Sequence, residues 1–98
     1  MGEVKWSQIA LDDIDEIRTY IWDDSPYYAE RVASALFSRP DILQTHPKIG
    51  RAVPELSEDE SLRELIEKHY RIIYRIKSVD SIVIVRVLHS ARKFPDTV

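Results

Sequence analysis

"HYRIIYRIK", residues 69–77, alternates with a period of two, and the rest of the chain is best read outward from it. Tyr70, Ile72, Tyr74 and Ile76 fall on one side, and Arg71, Ile73, Arg75 and Lys77 on the other. A strand with one apolar side and one half-cationic side belongs to a sheet that packs on a single face. Two further strands are expected beside it, at about 62–67 and 81–88. Their joins, near Lys68 and at "SVDS", are short enough for antiparallel neighbours. "IVIVRVLH" is mostly apolar, as a well-covered strand would be.

Upstream the period changes. "EVKWS" is a short alternation suited to an edge strand. Ser7 is placed to cap a helix, with Asp12 and Asp13 early enough to favour the positive end of its dipole. Ala10, Ile14, Ile17 and Ile21 make one apolar stripe, widened by Leu11 and Tyr20. "DDSP" ends that helix and opens a second, with Ser25 as cap and Pro26 at the first helical position. Ala29, Val32, Ala33, Leu36 and Phe37 form its stripe, continued by Leu43. Pro40 interrupts that stripe and removes a backbone bond to Leu36, so a kink or break is predicted near residues 37–41. "PKIGRAVPELSEDES" is expected to be a loop, and Trp6 and Trp22 are expected to be packing residues.

These elements predict one α+β domain over residues 1–98. An N-terminal strand leads into an antiparallel helical hairpin and then a three-stranded antiparallel meander. The helices pack on one face of a four-stranded sheet. A chain of 98 residues is long enough to bury roughly 60–65% of its unfolded surface. It has no cysteine, which excludes a disulfide framework and a zinc–thiolate site. No signal peptide is expected, because "MGEVKWSQIALDD" meets acids before any apolar run forms, and a cytoplasmic location follows as the expectation.

Charge is distributed unevenly. Residues 1–61 carry six Lys and Arg against thirteen Asp and Glu, a balance of −7. Residues 62–93 carry eight against three, a balance of +5, and Asp96 brings the chain to −3. Either the C-terminal half meets an external anion, or the two halves attract each other.

The order of motifs resembles the RelE/ParE superfamily, the toxin halves of type II toxin–antitoxin pairs, which include plasmid stabilisation proteins. The resemblance runs through "VKWSQIALDDIDEIRTYI", "SPYYAERVASAL", "HPKIGRAVPEL", "LRELIEKHYRIIYRI" and "IVIVRVLHSAR". It implies a growth-inhibiting toxin with a cognate antitoxin as partner, and no cofactor. RelE-like and YoeB-like members cut messenger RNA in the ribosome without a metal, whereas ParE-like members poison DNA gyrase. RNA cleavage needs a base for the 2′-OH, cationic donors for the phosphate and an acid for the leaving oxygen.

Carried over residue by residue, the resemblance assigns Arg71 to the phosphate, Glu55 to the base, His89 to the acid and Arg92 to a second phosphate contact. Arg63, Arg75, Arg86 and Lys93 are the further candidates for contacting RNA or antitoxin. The set departs from the family in two ways. "LREL" stands where RelE-like members carry a lysine pair, and no tyrosine follows Tyr74, with Ser90 at the YoeB-like position. Structural roles stand beside these functional ones. Arg71 has Glu64 and Glu67 within reach across the sheet, Glu55 lies in an acidic loop, and Arg92 and Lys93 suit a solvated tail. His89 shares parity with Val83, Val85 and Val87, and Tyr70 and Tyr74 suit a core as well as base stacking. His46 and His69 have no metal-ligand spacing. The expected function is therefore a ribosome-dependent messenger RNA endonuclease, with a gyrase poison without catalytic activity and an attenuated or inactive toxin fold as the alternatives.

Overall fold

The computed structural model describes residues 2–96 and 98. Strand β1 (Glu3–Trp6) leads into helix α1 (Gln8–Trp22), and α2 (Pro26–Ser38) follows after a tight turn. A 3-10 segment, Arg39–Gln44, continues the chain to β2 (Arg51–Ala52) and a second 3-10 turn, Pro54–Leu56. Strands β3 (Leu62–Glu67), β4 (Tyr70–Ser78) and β5 (Ser81–His89) close the fold. The sheet has five strands in the order β1-β5-β4-β3-β2, antiparallel except that β1 runs parallel to β5.

Both helix starts follow from their caps. The Ser7 hydroxyl accepts the Ala10 N–H at 3.1 Å, and the Ser25 hydroxyl accepts the Tyr28 N–H at 3.1 Å. Helix α2 ends where Pro40 forbids another α-helical bond, and the chain tightens into the 3-10 segment with Pro40 itself buried. The break predicted at 37–41 is therefore present. The stripes of α1 and α2 bury Ala10, Ile14, Val32, Ala33 and Leu36 against Leu65, Ile72, Tyr74, Ile82, Ile84 and Val87 of the sheet. Each large aliphatic fully buried there contributes about 1.5–3 kcal/mol.

Alternation in β4 came out as read: Ile72 and Tyr74 sit in the helix-side core, while Ile73 sits in a smaller cluster on the other face with Val53 and Leu62. The β3–β4 join is a two-residue turn, with Glu67 opposite Tyr70 and Lys68 at φ 53°. Two-residue hairpins ask for a positive φ of this kind, which is why so little chain suffices.

Several expectations need correction. The sheet has a fifth strand, because Arg51–Ala52 inside the expected loop pairs with Arg63 and Glu64. Two residues are too few to show any alternation. Tyr20 does not widen the core stripe but is 76% exposed, and Trp22 is about half exposed rather than a packing residue. Trp6 does pack, against Phe37, with ring centroids 5.3 Å apart. Asp13 lies beyond the first turn of α1 and serves the sheet instead of the helix dipole.

That role for Asp13 follows from the length of β1. Trp6 pairs with Ile84, and past this point β5 has no strand on that side. Side chains from the start of α1 stand in for one. The Ser7 hydroxyl donates to the Val85 carbonyl at 3.1 Å, and the Asp13 carboxylate accepts the Val87 N–H at 2.9 Å. Asp13 also accepts two bonds from Arg86, at 2.9 and 3.1 Å, which neutralise its buried charge.

Candidate functional site

On the sheet face away from the helices, one strand position commits the chain to an ion network. Glu64 shares its parity in β3 with buried Leu62, and its side chain has no exposed surface. A carboxylate so placed needs cations and hydrogen bonds to remain ionised. Arg71 Nε donates to one oxygen at 2.8 Å, and Arg51 Nε, carried by β2, donates to the other at 2.6 Å. Arg71 turns its remaining nitrogens on Glu55, at 2.9 and 2.6 Å, in a two-pronged pairing. The turn Pro54–Leu56 presents Glu55 there, anchored by fully buried Val53. Phe94 from the C-terminal tail lies over the same guanidinium, 5.2 Å from ring centroid to Cζ.

Arg71 thus has all three nitrogens bonded to carboxylates, and its side chain is only 9% exposed. The two carboxylates raise its pKa further above the ordinary arginine value, the bonds to Glu55 having the larger effect. The same bonds lower Glu55 from 4.5 to about 2. A carboxylate this acidic is a weak base near neutral pH, where general-base catalysis favours a pKa closer to 7.

A pH prediction follows. Glu55 is depressed in the fold, so its contribution is present above about 4.5 and is lost as pH falls towards about 2. Its side chain is 40% exposed, and screening limits the contribution to about 1 kcal/mol. Urea unfolding of Glu55→Gln should show a deficit of that size at pH 7 that vanishes by about pH 2. A deficit that persists unchanged in acid would assign the loss to packing instead.

The other candidates are also partnered or lie elsewhere. Arg75 donates to Asp59 at 3.0 Å and to the Ser61 hydroxyl at 2.7 Å. Asp59 is held below the usual carboxylate range by Ser61 first and Arg75 second. Arg86 is taken by Asp13. Arg63 donates to the Gly50 carbonyl at 2.9 Å, and its buried Nε has no partner among the described residues. Lys93 is exposed and has no ion-pair partner among the described residues. Three of the cationic candidates, Arg71, Arg75 and Arg86, are thus each paired with a carboxylate of the chain itself.

His89 stands apart from this network. It pairs in register with Tyr70 on the helix side of the sheet, with its ring edge-on to Tyr70 at 5.3 Å and parallel to His69 at 6.2 Å. Its Nδ1 accepts the Ala91 N–H at 3.0 Å, so the neutral ring carries its hydrogen on Nε2. Arg92 is exposed beside it. Both line an open groove of about 630 Å³ between α1 and the end of β5, whose apolar walls include Ile17, Ile21 and Tyr70. Arg71 and Glu55, expected at the phosphate and as the base, therefore lie on one face of the sheet, whereas His89, expected as the acid, and Arg92 line the groove on the other.

Asp13, Arg51 and the weight carried by Glu64 were not apparent in the sequence as parts of these networks. Glu64 gave one signal: between Leu62 and Ile66 it is the one charged residue on its side of the strand.

Comparison with known proteins agrees with the fold. Residues 4–94 match the family model described as the ParE toxin of the type II toxin–antitoxin system parDE. Toxin RelE2 of Caulobacter vibrioides is 38% identical over 93 residues, covering 94% of this chain and 99% of that protein. The putative toxin Y4kP of Sinorhizobium fredii is 33% identical over 94 residues, covering 94% and 92%. A solved structure of the chromosomal ParDE system from P. aeruginosa superposes with a TM-score of 0.74 at 26% identity, covering 91% of this chain and 96% of that one. The chain belongs to the ParE toxin family within the RelE/ParE superfamily, the toxins of type II toxin–antitoxin systems, and its partner by family is a cognate antitoxin.

Proposed function

We propose that residues 1–98 act as one toxin domain that arrests growth in the cytoplasm by binding a protein target, DNA gyrase as in the ParE-like branch, without cutting RNA. The observation that carries this reading is the state of Arg71. Its nitrogens are closed between Glu64 and Glu55, and Phe94 covers it. A scissile phosphate would have to displace Glu55, and would then find His89 on the far side of the sheet. The missing tyrosine after Tyr74 and the replacement of the lysine pair by "LREL" support the same reading. No described helix is long and apolar enough to cross a membrane.

Two reactions on one preparation test this. Purified protein is added to gyrase with supercoiled plasmid, and separately to ribosomes programmed with messenger RNA. The expected result is enzyme-linked DNA breaks or lost supercoiling with the message intact. Discrete message cuts that disappear in His89→Ala or Glu55→Gln would overturn the proposal and restore the endonuclease. Those variants are preferable to Arg71→Ala, whose loss of activity would be confounded by unfolding.

A further inference from the structure

Four of the ten exposed large apolar side chains among the described residues fall within residues 20–28, and two of these have no packing role. Tyr20 and Tyr28 each line a cavity beneath the helical hairpin. Trp22 and Tyr27 line neither cavity and stand outside the core. Helical spacing brings these two together. Arg18 of α1 reaches Glu30 of α2 at 3.7 Å, which marks the outer seam between the helices. Trp22 lies four residues beyond Arg18, and Tyr27 lies three residues before Glu30. Both rings therefore stand one turn further along that seam, at the tip of the hairpin. Asp23, Asp24 and Pro26, between them, are exposed as well.

Charge decides what such a tip can meet. Residues 8–38 carry seven Asp and Glu against Arg18 and Arg31, a balance of −5. Asp13 is buried and neutralised by Arg86; the other six acids, Asp15 and Glu16 included, are exposed. Arg18 is shared between Asp15 and Glu30, while Asp12, Glu16, Asp23 and Asp24 have no ion-pair partner among the described residues. Two further cations, Lys68 and Arg92, stand at the sheet end, across the cavities from α2 and α1. Asp24 has a local role, since a negative charge beside the first turn of α2 favours that helix. Trp22 and Tyr27 have none.

A phosphate backbone or an anionic membrane would be repelled by this surface. So would a second tip, which a two-fold dimer through the tip would bring against the first. A protein face rich in arginine and lysine suits both features. Its charges answer the carboxylates, and its guanidinium planes lie on the rings. The chain shows that second contact itself, for Arg31 rests on the Tyr27 ring at 5.8 Å and donates to its hydroxyl at 3.2 Å. Exposed tryptophan and tyrosine are also the residues enriched at interface hot spots.

We infer that the tip of the helical hairpin is the surface by which the toxin holds its protein target, docking Trp22 and Tyr27 on an arginine- and lysine-rich face of that protein. The inference rests on the reading that the target is a protein, and deepens it by naming the face and its chemistry. An enzyme that handles DNA carries cationic faces of this kind.

The test measures the affinity of the full chain for gyrase holoenzyme immobilised on a sensor surface. Affinity should fall by about tenfold or more on Trp22→Ala and on Tyr27→Ala, as for loss of a hot-spot aromatic. Asp23→Asn together with Asp24→Asn should cost about threefold and flatten the salt dependence. Lys77→Glu, an exposed change at the end of β4 away from Tyr70, should leave affinity unchanged. Unchanged circular dichroism and Tm confirm that each variant folds, and Tyr27→Ala, at a position 72% exposed, serves should Trp22→Ala fail to fold. Wild-type binding that ignores both aromatic variants overturns the inference and leaves the gyrase reading standing. Absence of wild-type binding overturns the gyrase reading, and the inference with it. Sedimentation showing a dimer that Trp22→Ala dissociates would give the tip to a second copy and likewise overturn the inference.

Discussion

Arg71→Ala should lower the stability of the chain by about 3–5 kcal/mol, the range for stranding one member of a buried ion pair. Glu64 would keep Arg51, but that arginine is 59% exposed and shares its charge with water. Glu55 would lose both its bonds at once. Domains of this size are stable by only about 5–15 kcal/mol, so the variant would be partly unfolded in ordinary assays. Urea unfolding monitored by circular dichroism measures the loss directly. Replacing the pair together, as Arg71→Met with Glu64→Leu, should recover much of it, because no buried charge is then left alone. An Arg71→Ala protein with wild-type stability would show that the network contributes little to the fold, and Arg71 would return as a candidate for function alone.

The second large effect is expected at Gly50. A Cβ there would sit 2.6 Å from the Tyr74 hydroxyl, 2.8 Å from its ring and 2.7 Å from the Glu64 carbonyl oxygen. None of these neighbours is free to move. Tyr74 is fully buried, its hydroxyl accepts the Gly50 N–H at 3.0 Å and donates to the Pro47 carbonyl at 2.7 Å, and Glu64 belongs to the sheet. Gly50→Ala therefore forces the 47–50 segment off the sheet and breaks both bonds, at a cost of about 3 kcal/mol. For a domain of this length that corresponds to a fall in Tm on the order of 15 °C. Calorimetry showing a shift under about 3 °C would mean that the loop relaxes freely, contrary to the contacts seen.

What could be read from the sequence divides along a physical line. Contacts set by local period or by a single residue's stereochemistry were legible: the two faces of β4, the caps at Ser7 and Ser25, and the end of α2 before Pro40. Contacts made by a side chain reaching across the fold were not. Asp13 resembled a helix-terminal acid because nothing local reveals that β1 stops short and leaves Val87 without a partner. Strand β2 was hidden because its two residues are held by β3 rather than by any propensity of their own.

The candidate site divided the same way. Family resemblance marked Arg71, Glu55, His89 and Arg92 as a group, yet only register and face show that Arg71 and Glu55 grip each other while His89 lies across the sheet. Of the two explanations for the uneven charge, attraction between the halves is realised in three pairs: Asp13 with Arg86, Glu55 with Arg71 and Asp59 with Arg75.

The parallel pairing of β1 with β5 also bears on how the protein is made. Residues 3–6 and 81–84 are the first and last strands in the chain, and they are neighbours in the sheet. Until the final strand has left the ribosome, β1 has no strand to pair with, Ser7 and Asp13 have no backbone to meet, and α1 lacks its contacts with β5. Contacts of such long sequence separation form late. A growing chain therefore has no complete sheet before residues 81–89 have been made and have left the ribosome, and that interval is open to a neutralising partner.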